Sequence, residues 1–95
     1  MARINGLIWD EWNRNHIAEH KISVEEVEEV CHGKHEAVES YRKRILVIGI
    51  TKKGRTLIVS LSPEDRNLQG YGKGLYYPIT AFEEEVKMNE KNKTK

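Results

Sequence analysis

The amino-acid sequence predicts an α+β fold in which two N-terminal helices pack on a twisted antiparallel sheet of three to four strands, with a short C-terminal helix. Two helical segments with capping residues come first, and two β-branched runs joined by a glycine-containing turn follow them. The chain has 95 residues, which is enough for one modest core. We therefore expect a single domain over residues 1–88 and a disordered tail over residues 89–95, which lacks apolar side chains.

The first helix is predicted to begin after Trp9, with Asp10 as its N-cap, and to run to His20. Five residues here share one face of a helix with about 3.6 residues per turn. They are Trp9, Asn13, His16, Ile17 and His20. A buried polar group without a partner costs about 1 to 3 kcal/mol, so this face is either a hydrogen-bonded packing surface or part of a site.

The second helix is predicted to begin at the N-cap Ser23, because Glu26 three residues later completes a capping box. Valines at every third position supply its apolar face, and Gly33 ends it. Cys31 follows this valine series and is interpreted as a small core residue. It is the only cysteine, so the chain has no second thiol for an internal disulfide.

A β-hairpin is predicted after the helices. Residues 44–51 and 56–62 are continuous apolar runs, and the turn between them contains Gly54. At least one face of both runs must be buried against another element, and the two helices are expected to bury it. Residues 36–42, which precede the hairpin, alternate only loosely between apolar and polar side chains.

The C-terminal third predicts one more strand and a helix. Residues 75–80 read as a strand, in which Pro78 indicates an edge position. Tyr76 and Tyr77 are expected to point to opposite faces of that strand, and the exposed one is the better functional candidate. Residues 82–88 are predicted to form a short helix that begins with consecutive glutamates.

Charge is distributed unevenly along the chain, although the formal net charge is only +1. Residues 1–40 carry four basic and nine acidic side chains, a balance of −5. Residues 41–80 carry eight basic and two acidic side chains, a balance of +6. A positive half-domain can collect phosphates because salt screens the acidic half beyond about 10 Å. The alternative is a solvated surface of mixed sign.

The order of these elements, together with particular residues, resembles the BrnT-type toxin family of the RelE/ParE superfamily. The resemblance covers residues 7–82. The matching positions are Trp9, Asn13, His16, Ile17 and His20, then Ser23 with residues 25–27, Gly49, and residues 51–55, 57–59 and 77–81.

This resemblance implies the toxin of a type II toxin–antitoxin system. Such a protein is an endoribonuclease that cleaves messenger RNA without metal or other cofactor, inhibits translation, and is neutralised by a cognate antitoxin protein. The expected partners are therefore the antitoxin and RNA, on the ribosome or free of it, in a homo- or hetero-oligomer. The sequence has neither a signal-peptide pattern nor a long apolar run, so we expect a cytoplasmic protein without membrane contact.

RNA cleavage through the ribose 2′-hydroxyl needs a proton acceptor, cations and a proton donor. The candidate catalytic residues are Arg44, Arg55, His20 and Tyr77, and the candidate RNA-binding residues are Arg42, Lys52, Lys53, Arg66 and Lys73. In an antiparallel hairpin Arg55 lies beside the turn and Arg44 at the far end. The two arginines can therefore belong to separate clusters.

Two observations leave alternatives open. Family members continue after the last strand with an arginine and a basic helix, whereas here Ala81 is followed by phenylalanine and three glutamates. A catalytically inactive, toxin-like protein-binding module is therefore the alternative function. His16 and His20 have the spacing of two metal ligands on a helix, but the sequence offers no obvious further ligands, so no metal is expected.

Overall fold

The structure is a computed structural model that describes residues 4–67, 69–70 and 72–84. Its strands form one sheet in the order β1-β5-β4-β3-β2. In this sheet β1 runs parallel to β5, and the other neighbouring strands are antiparallel. The elements along the chain are β1 (Gly6–Leu7), α1 (Glu11–Glu19), α2 (Val24–His32), β2 (His35–Glu39), β3 (Ile45–Ile50), β4 (Thr56–Ser62) and β5 (Leu75–Glu83).

The predicted sheet of three to four antiparallel strands is wrong, because the sheet has five strands and mixed direction. The two residues of β1 are too few for a periodic pattern, and backbone bonds hold this strand in place. The Ile8 N–H, for example, donates to the Tyr76 carbonyl at 2.8 Å. The weakly alternating β2 pairs with β3 along its whole length, from His35 opposite Gly49 to Glu39 opposite Ile45.

The predicted C-terminal helix is wrong at its start, because Phe82 and Glu83 continue β5. Phe82 pairs with Ile58 of β4. A carboxylate oxygen of Glu83 lies 3.0 Å from a guanidinium nitrogen of Arg55. These long-range contacts outweigh the helical tendency of consecutive glutamates. The remainder of the predicted helix and the predicted tail over residues 89–95 lie outside the described residues.

Both predicted helix starts are confirmed. The Asn13 N–H donates to Asp10 Oδ1 at 2.9 Å, and the Asp10 N–H donates to Asn13 Oδ1 at 2.8 Å. The same reciprocal pair joins Ser23 and Glu26, with both bonds at 3.1 Å. Each helix therefore begins with a capping box that satisfies otherwise unpaired N–H groups.

The hydrophobic core lies between the two helices and one face of the sheet. Alternate residues of β3 and β4 point into it, and α2 approaches β3 closely at Gly49, where a Cβ atom would lie 3.0 Å from Val30 Cγ1. The prediction for Cys31 is confirmed, since this residue is buried in the core. The buried apolar side chains are Ile17, Ile22, Val27, Val30, Cys31, Ile45, Val47, Leu57, Val59, Leu61 and Ala81.

The other face of the sheet carries apolar side chains among polar ones, and neither described helix covers it. Period-two alternation places the remaining strand side chains there, and cross-strand partners such as Ile48 and Ile58 lie side by side. We call this surface the open face. Its apolar members are Val38, Leu46, Ile48, Ile50, Ile58 and Phe82.

Candidate functional site

Apart from Arg66, the cations of residues 41–80 lie at the two ends of the sheet. Arg44 directly precedes Ile45, the first residue of β3, whereas Arg55 precedes Thr56, which pairs with Ile50 at the other end. A strand of this length spans about 17 Å at roughly 3.3 Å per residue. Arg44 and Arg55, both predicted to be catalytic, are therefore not brought together.

At one end of the sheet, carboxylates neutralise the cation Arg55. One of its guanidinium nitrogens lies 2.7 Å from both carboxylate oxygens of Glu26, and another lies 3.0 Å from Glu83. These bonds raise the pKa of the Arg55 guanidinium. Burial raises the pKa of the Glu26 carboxyl, but the Ser23 backbone N–H and Arg55 together lower it below its ordinary value. Arg55 therefore has a structural role at this end of the sheet.

Lys52 and Lys53, both predicted to bind RNA, lie at the same end in the turn between β3 and β4. The Lys52 N–H donates to a carboxylate oxygen of Glu29 at 3.2 Å. Lys53 faces Glu26 across a shallow depression next to Arg55. Among the described residues, Arg55 is the cation of this end that forms ion pairs, whereas the side chains of Lys52 and Lys53 form none.

The opposite end carries cations outside any ion pair. We call Arg42, Lys43, Arg44 and Lys73 the basic end. The ion pairs found among the described residues involve none of these four side chains. The Arg44 guanidinium lies 5.4 Å from the centre of the Tyr41 ring, a cation–π distance. These four cations are therefore available to an external anion, and Glu39 is an acidic residue at the same end.

A groove lies at the basic end. It consists of two depressions that share Pro63 and Tyr76, with Lys43 on one side and Lys73 on the other. We call this surface the end groove. Tyr76 is half-buried and packs against the hydrophobic core, which holds its ring in place. The first depression is lined by Glu39, Ser40, Lys43, Ile45, Pro63 and Tyr76.

The turn between β2 and β3 has an unusual backbone. Arg42 and Lys43 have φ values of 60° and 62°, which lie in the left-handed region. The Arg44 N–H closes the turn by donating to the Tyr41 carbonyl at 3.1 Å. Two successive left-handed residues inside such a bond make a type I′ turn, in which asparagine and glycine are the preferred residues.

Tyr77 and His20, both predicted to be catalytic, lie apart from the basic end. Tyr77 is buried, and its hydroxyl donates to the Asp10 carboxylate, whose oxygens lie 2.9 and 3.0 Å away. Burial and the neighbouring Asp10 carboxylate raise the pKa of the Tyr77 phenol. His20 caps the C-terminus of α1, exposed to solvent, with its ring edge-on to His16 at 5.5 Å. The four candidate catalytic side chains therefore occupy four separate places.

Arg66, predicted to bind RNA, packs on the outer side of α1. Its guanidinium lies 4.4 Å from the centre of the Trp12 ring, and His16 stacks parallel to Trp12 at 4.8 Å. The helix face predicted from the sequence is thus divided. Asn13 and Ile17 are buried beneath α1, whereas His16 belongs to the outer stack.

Two residues of the end groove, Glu39 and Lys43, are absent from the predicted site residues. Tyr76 is anticipated in part, because the sequence predicts that the exposed member of the Tyr76–Tyr77 pair is the better functional candidate, and Tyr76 is the more accessible of the two. No sequence signal marks Glu39 and Lys43 as site residues, because their proximity to Tyr76 depends on the strand register.

Within the described residues, no group of three histidine, cysteine, aspartate or glutamate side chains could hold a metal ion. No helix in this part of the chain is both long enough and apolar enough to cross a membrane. Comparison of the chain with protein-family models, curated proteins and solved structures gives no match.

Proposed function

We propose that this protein is the toxin of a type II toxin–antitoxin system and cleaves messenger RNA without a metal ion. The basic end is the observation that supports this function, because its cations are outside ion pairs and border a groove with the aromatic ring of Tyr76. Single-stranded RNA is bound by cations that follow its backbone and by aromatic rings that stack on its bases. The resemblance to BrnT-type toxins supplies the reaction.

The acidic residues after Ala81 do not oppose this proposal where they are described. Glu83 bonds to Arg55, and the Glu84 N–H donates to the Thr56 carbonyl at 2.8 Å. Both glutamates therefore lie at the end of the sheet opposite the basic end. Their charge is separated from it by more than a Debye length of about 8 Å at physiological salt.

Induced expression in a bacterium tests the proposal. We expect growth arrest and cleavage of cellular messenger RNA, and we expect the purified protein to cleave RNA in the presence of a metal chelator. The charge reversal Lys43→Glu should weaken both effects. The matched reversal Lys34→Glu, at an exposed position after α2, should not. Normal growth and intact RNA at high expression would contradict the proposal.

A protein-binding module is the second candidate function, and the open face favours it. Val38 is 53% exposed, Ile50 65% and Phe82 45%, so several large apolar side chains share one uncovered surface. Contiguous exposed apolar surface of this kind marks protein interaction sites. A cognate antitoxin is the partner that the resemblance implies.

Co-expression with any small open reading frame found next to the gene separates the two functions. Co-purification of a partner that is lost in Ile50→Lys, together with no RNA cleavage by the free protein, would favour the module. RNA cleavage that the partner suppresses would favour the toxin. Lys34→Glu is again the control for a change of surface charge alone.

A further inference from the structure

We infer that Glu39, Lys43 and Tyr76 form the reactive site for RNA cleavage, in the end groove. This inference rests on the proposed function and assigns its chemistry to residues other than Arg44, Arg55, His20 and Tyr77. The reaction needs a proton acceptor, a cation and a proton donor within one site. Glu39, Lys43 and Tyr76 line the first depression of the end groove, and their side chains end in a carboxylate, an ammonium group and a phenol.

The sheet register explains why these three side chains converge. Glu39 is the last residue of β2 and pairs with Ile45 at the start of β3. Lys43 lies in the turn between these strands, and Tyr76 lies at the start of β5. All three positions fall at the same end of the sheet, and no residue of either helix lines the depression. A flexible RNA strand can therefore enter from solvent.

The strained turn supports a functional role for Lys43. Arg42 and Lys43 both adopt left-handed backbone conformations, which cost side-chain-bearing residues stability that Asn-Gly would not lose. Left-handed non-glycine residues cluster at functional sites. Here the strained residues are both cations, and the second of them lines the depression. The turn thus presents positive charge at the groove at a cost to stability.

The proposed reaction is a transesterification at phosphorus. The Glu39 carboxylate takes the proton of a ribose 2′-hydroxyl, and the 2′-oxygen attacks the adjacent phosphorus. The bond from phosphorus to the 5′-oxygen of the next nucleotide breaks, and the Tyr76 hydroxyl protonates that oxygen. Lys43 neutralises the charge that builds on the phosphate oxygens. The products are a 2′,3′-cyclic phosphate and a 5′-hydroxyl, and proton transfer from Glu39 to Tyr76 through water restores both groups.

Cleavage of a labelled single-stranded RNA by the purified full chain tests the assignment. We expect Glu39→Gln and Tyr76→Phe each to lower the cleavage rate about 100-fold or more. Glu36→Gln should keep the parent rate, because Glu36 pairs with Ile48 and alternates to the open face. The melting temperature of Glu39→Gln should equal that of the parent, a result that a purely structural role would not produce.

A second variant separates loss of function from loss of folding. The double change Arg42→Asn with Lys43→Gly should raise the melting temperature, because it relieves the strained turn. The same variant should bind RNA about tenfold more weakly, since it removes two cations. A variant that is more stable but less active cannot owe its defect to unfolding.

The outcomes distinguish the inference from the proposed function. If the parent cleaves RNA and both Glu39→Gln and Tyr76→Phe cleave it at the same rate, the reactive site lies elsewhere and the toxin function stands. If the double turn variant binds RNA as well as the parent, Lys43 has no role in the groove. If the parent neither cleaves RNA nor arrests growth, the proposed function fails, and the inference fails with it.

Discussion

At the scale of single residues, buried polar groups in this protein are matched by specific partners. Asn13 is fully buried, yet its Nδ2 donates to the carbonyls of Ile8 and Pro78, both at 3.0 Å, and its Oδ1 accepts from the Asp10 N–H. The polar member of the predicted helix face is therefore a packing residue. It joins α1 to β5 and to the segment after β1.

The buried hydroxyl of Tyr77 should contribute measurably to stability. Tyr77→Phe removes one hydrogen bond to the Asp10 carboxylate, and such bonds to charged groups are worth about 1.5 to 3 kcal/mol. Urea denaturation should show a loss of that size. Tyr41→Phe is the control, because Tyr41 is 69% exposed and should change the unfolding free energy by less than about 0.5 kcal/mol. Equal losses in the two variants would contradict the assignment.

Cys31 should make stability depend on alkaline pH. Burial, and then the nearby Glu28 charge, raise the pKa of the Cys31 thiol from 9.0 to about 12. The folded state therefore holds the proton where the unfolded state releases it, so this contribution is complete below the unfolded pKa and is lost as pH rises. Unfolding free energies from about pH 8 to about pH 11 should fall more steeply for the parent than for Cys31→Ala. Parallel pH curves would exclude the thiol as the cause.

At the scale of elements, one arginine joins three of them. Arg55, in the turn between β3 and β4, bonds to Glu26 in α2 and to Glu83 in β5. The Glu26 side chain is 13% exposed and that of Glu83 44%. Solvent screens the second bond more strongly, so the Glu26 pair contributes most of the stabilisation. The hairpin is thereby fixed to the start of α2.

Loss of this arginine should destabilise the fold and change its response to acid. Arg55→Ala should lower the unfolding free energy, and Arg55→Lys should lower it by less, because lysine keeps the charge but loses the paired geometry. The Glu26 pKa is lowered in the folded state, so its contribution exists above the unfolded pKa and is lost as pH falls. Denaturation across acidic pH should therefore show a weaker pH dependence in Arg55→Ala. An unchanged dependence would assign the acid response to other carboxylates.

At the scale of the whole molecule, charge is arranged by position in the sheet. Of the basic residues in the +6 segment 41–80, four lie at the basic end outside ion pairs, whereas Arg55 at the other end is paired with glutamates from α2 and β5. The small net charge of the protein therefore does not show that unpaired positive charge is concentrated at one end of the sheet. A polyanion approaching the molecule is expected to bind at the basic end.

Salt should weaken RNA binding to an extent set by the basic end. Four phosphate contacts on single-stranded RNA predict a slope of about −3 for the logarithm of affinity against the logarithm of salt concentration. Lys73→Ala should reduce the magnitude of this slope by about 0.7. Fluorescence anisotropy of a labelled RNA measures both values. Lys34→Ala should leave the slope unchanged, and equal changes in the two variants would argue against a localised site.

Local signals predict those parts of the fold that depend on neighbouring residues. The capping residues Asp10 and Ser23 locate both helices, and Gly54 locates the hairpin turn. The two residues of β1 pair with Leu75 and Tyr76 near the other end of the described chain. No short-range pattern encodes such a pairing, so the strand count and direction could not be predicted.

The candidate site depends even more on tertiary structure. The sequence predicts RNA-binding cations, and Arg42 and Lys73 do lie at the basic end. It does not show that glutamates neutralise Arg55, because Glu26 and Glu83 come from distant segments. The convergence of Glu39 and Tyr76 likewise requires the register of the sheet.

The position of β5 has a consequence for folding during synthesis. This strand comes last among the described elements, yet it lies between β1 and β4 in the sheet. Until the ribosome releases it, β1 has no partner, and neither the Tyr77 hydroxyl nor the Pro78 carbonyl can secure the start of α1. Folding must therefore wait for nearly the whole described chain, as expected when contacts join distant residues.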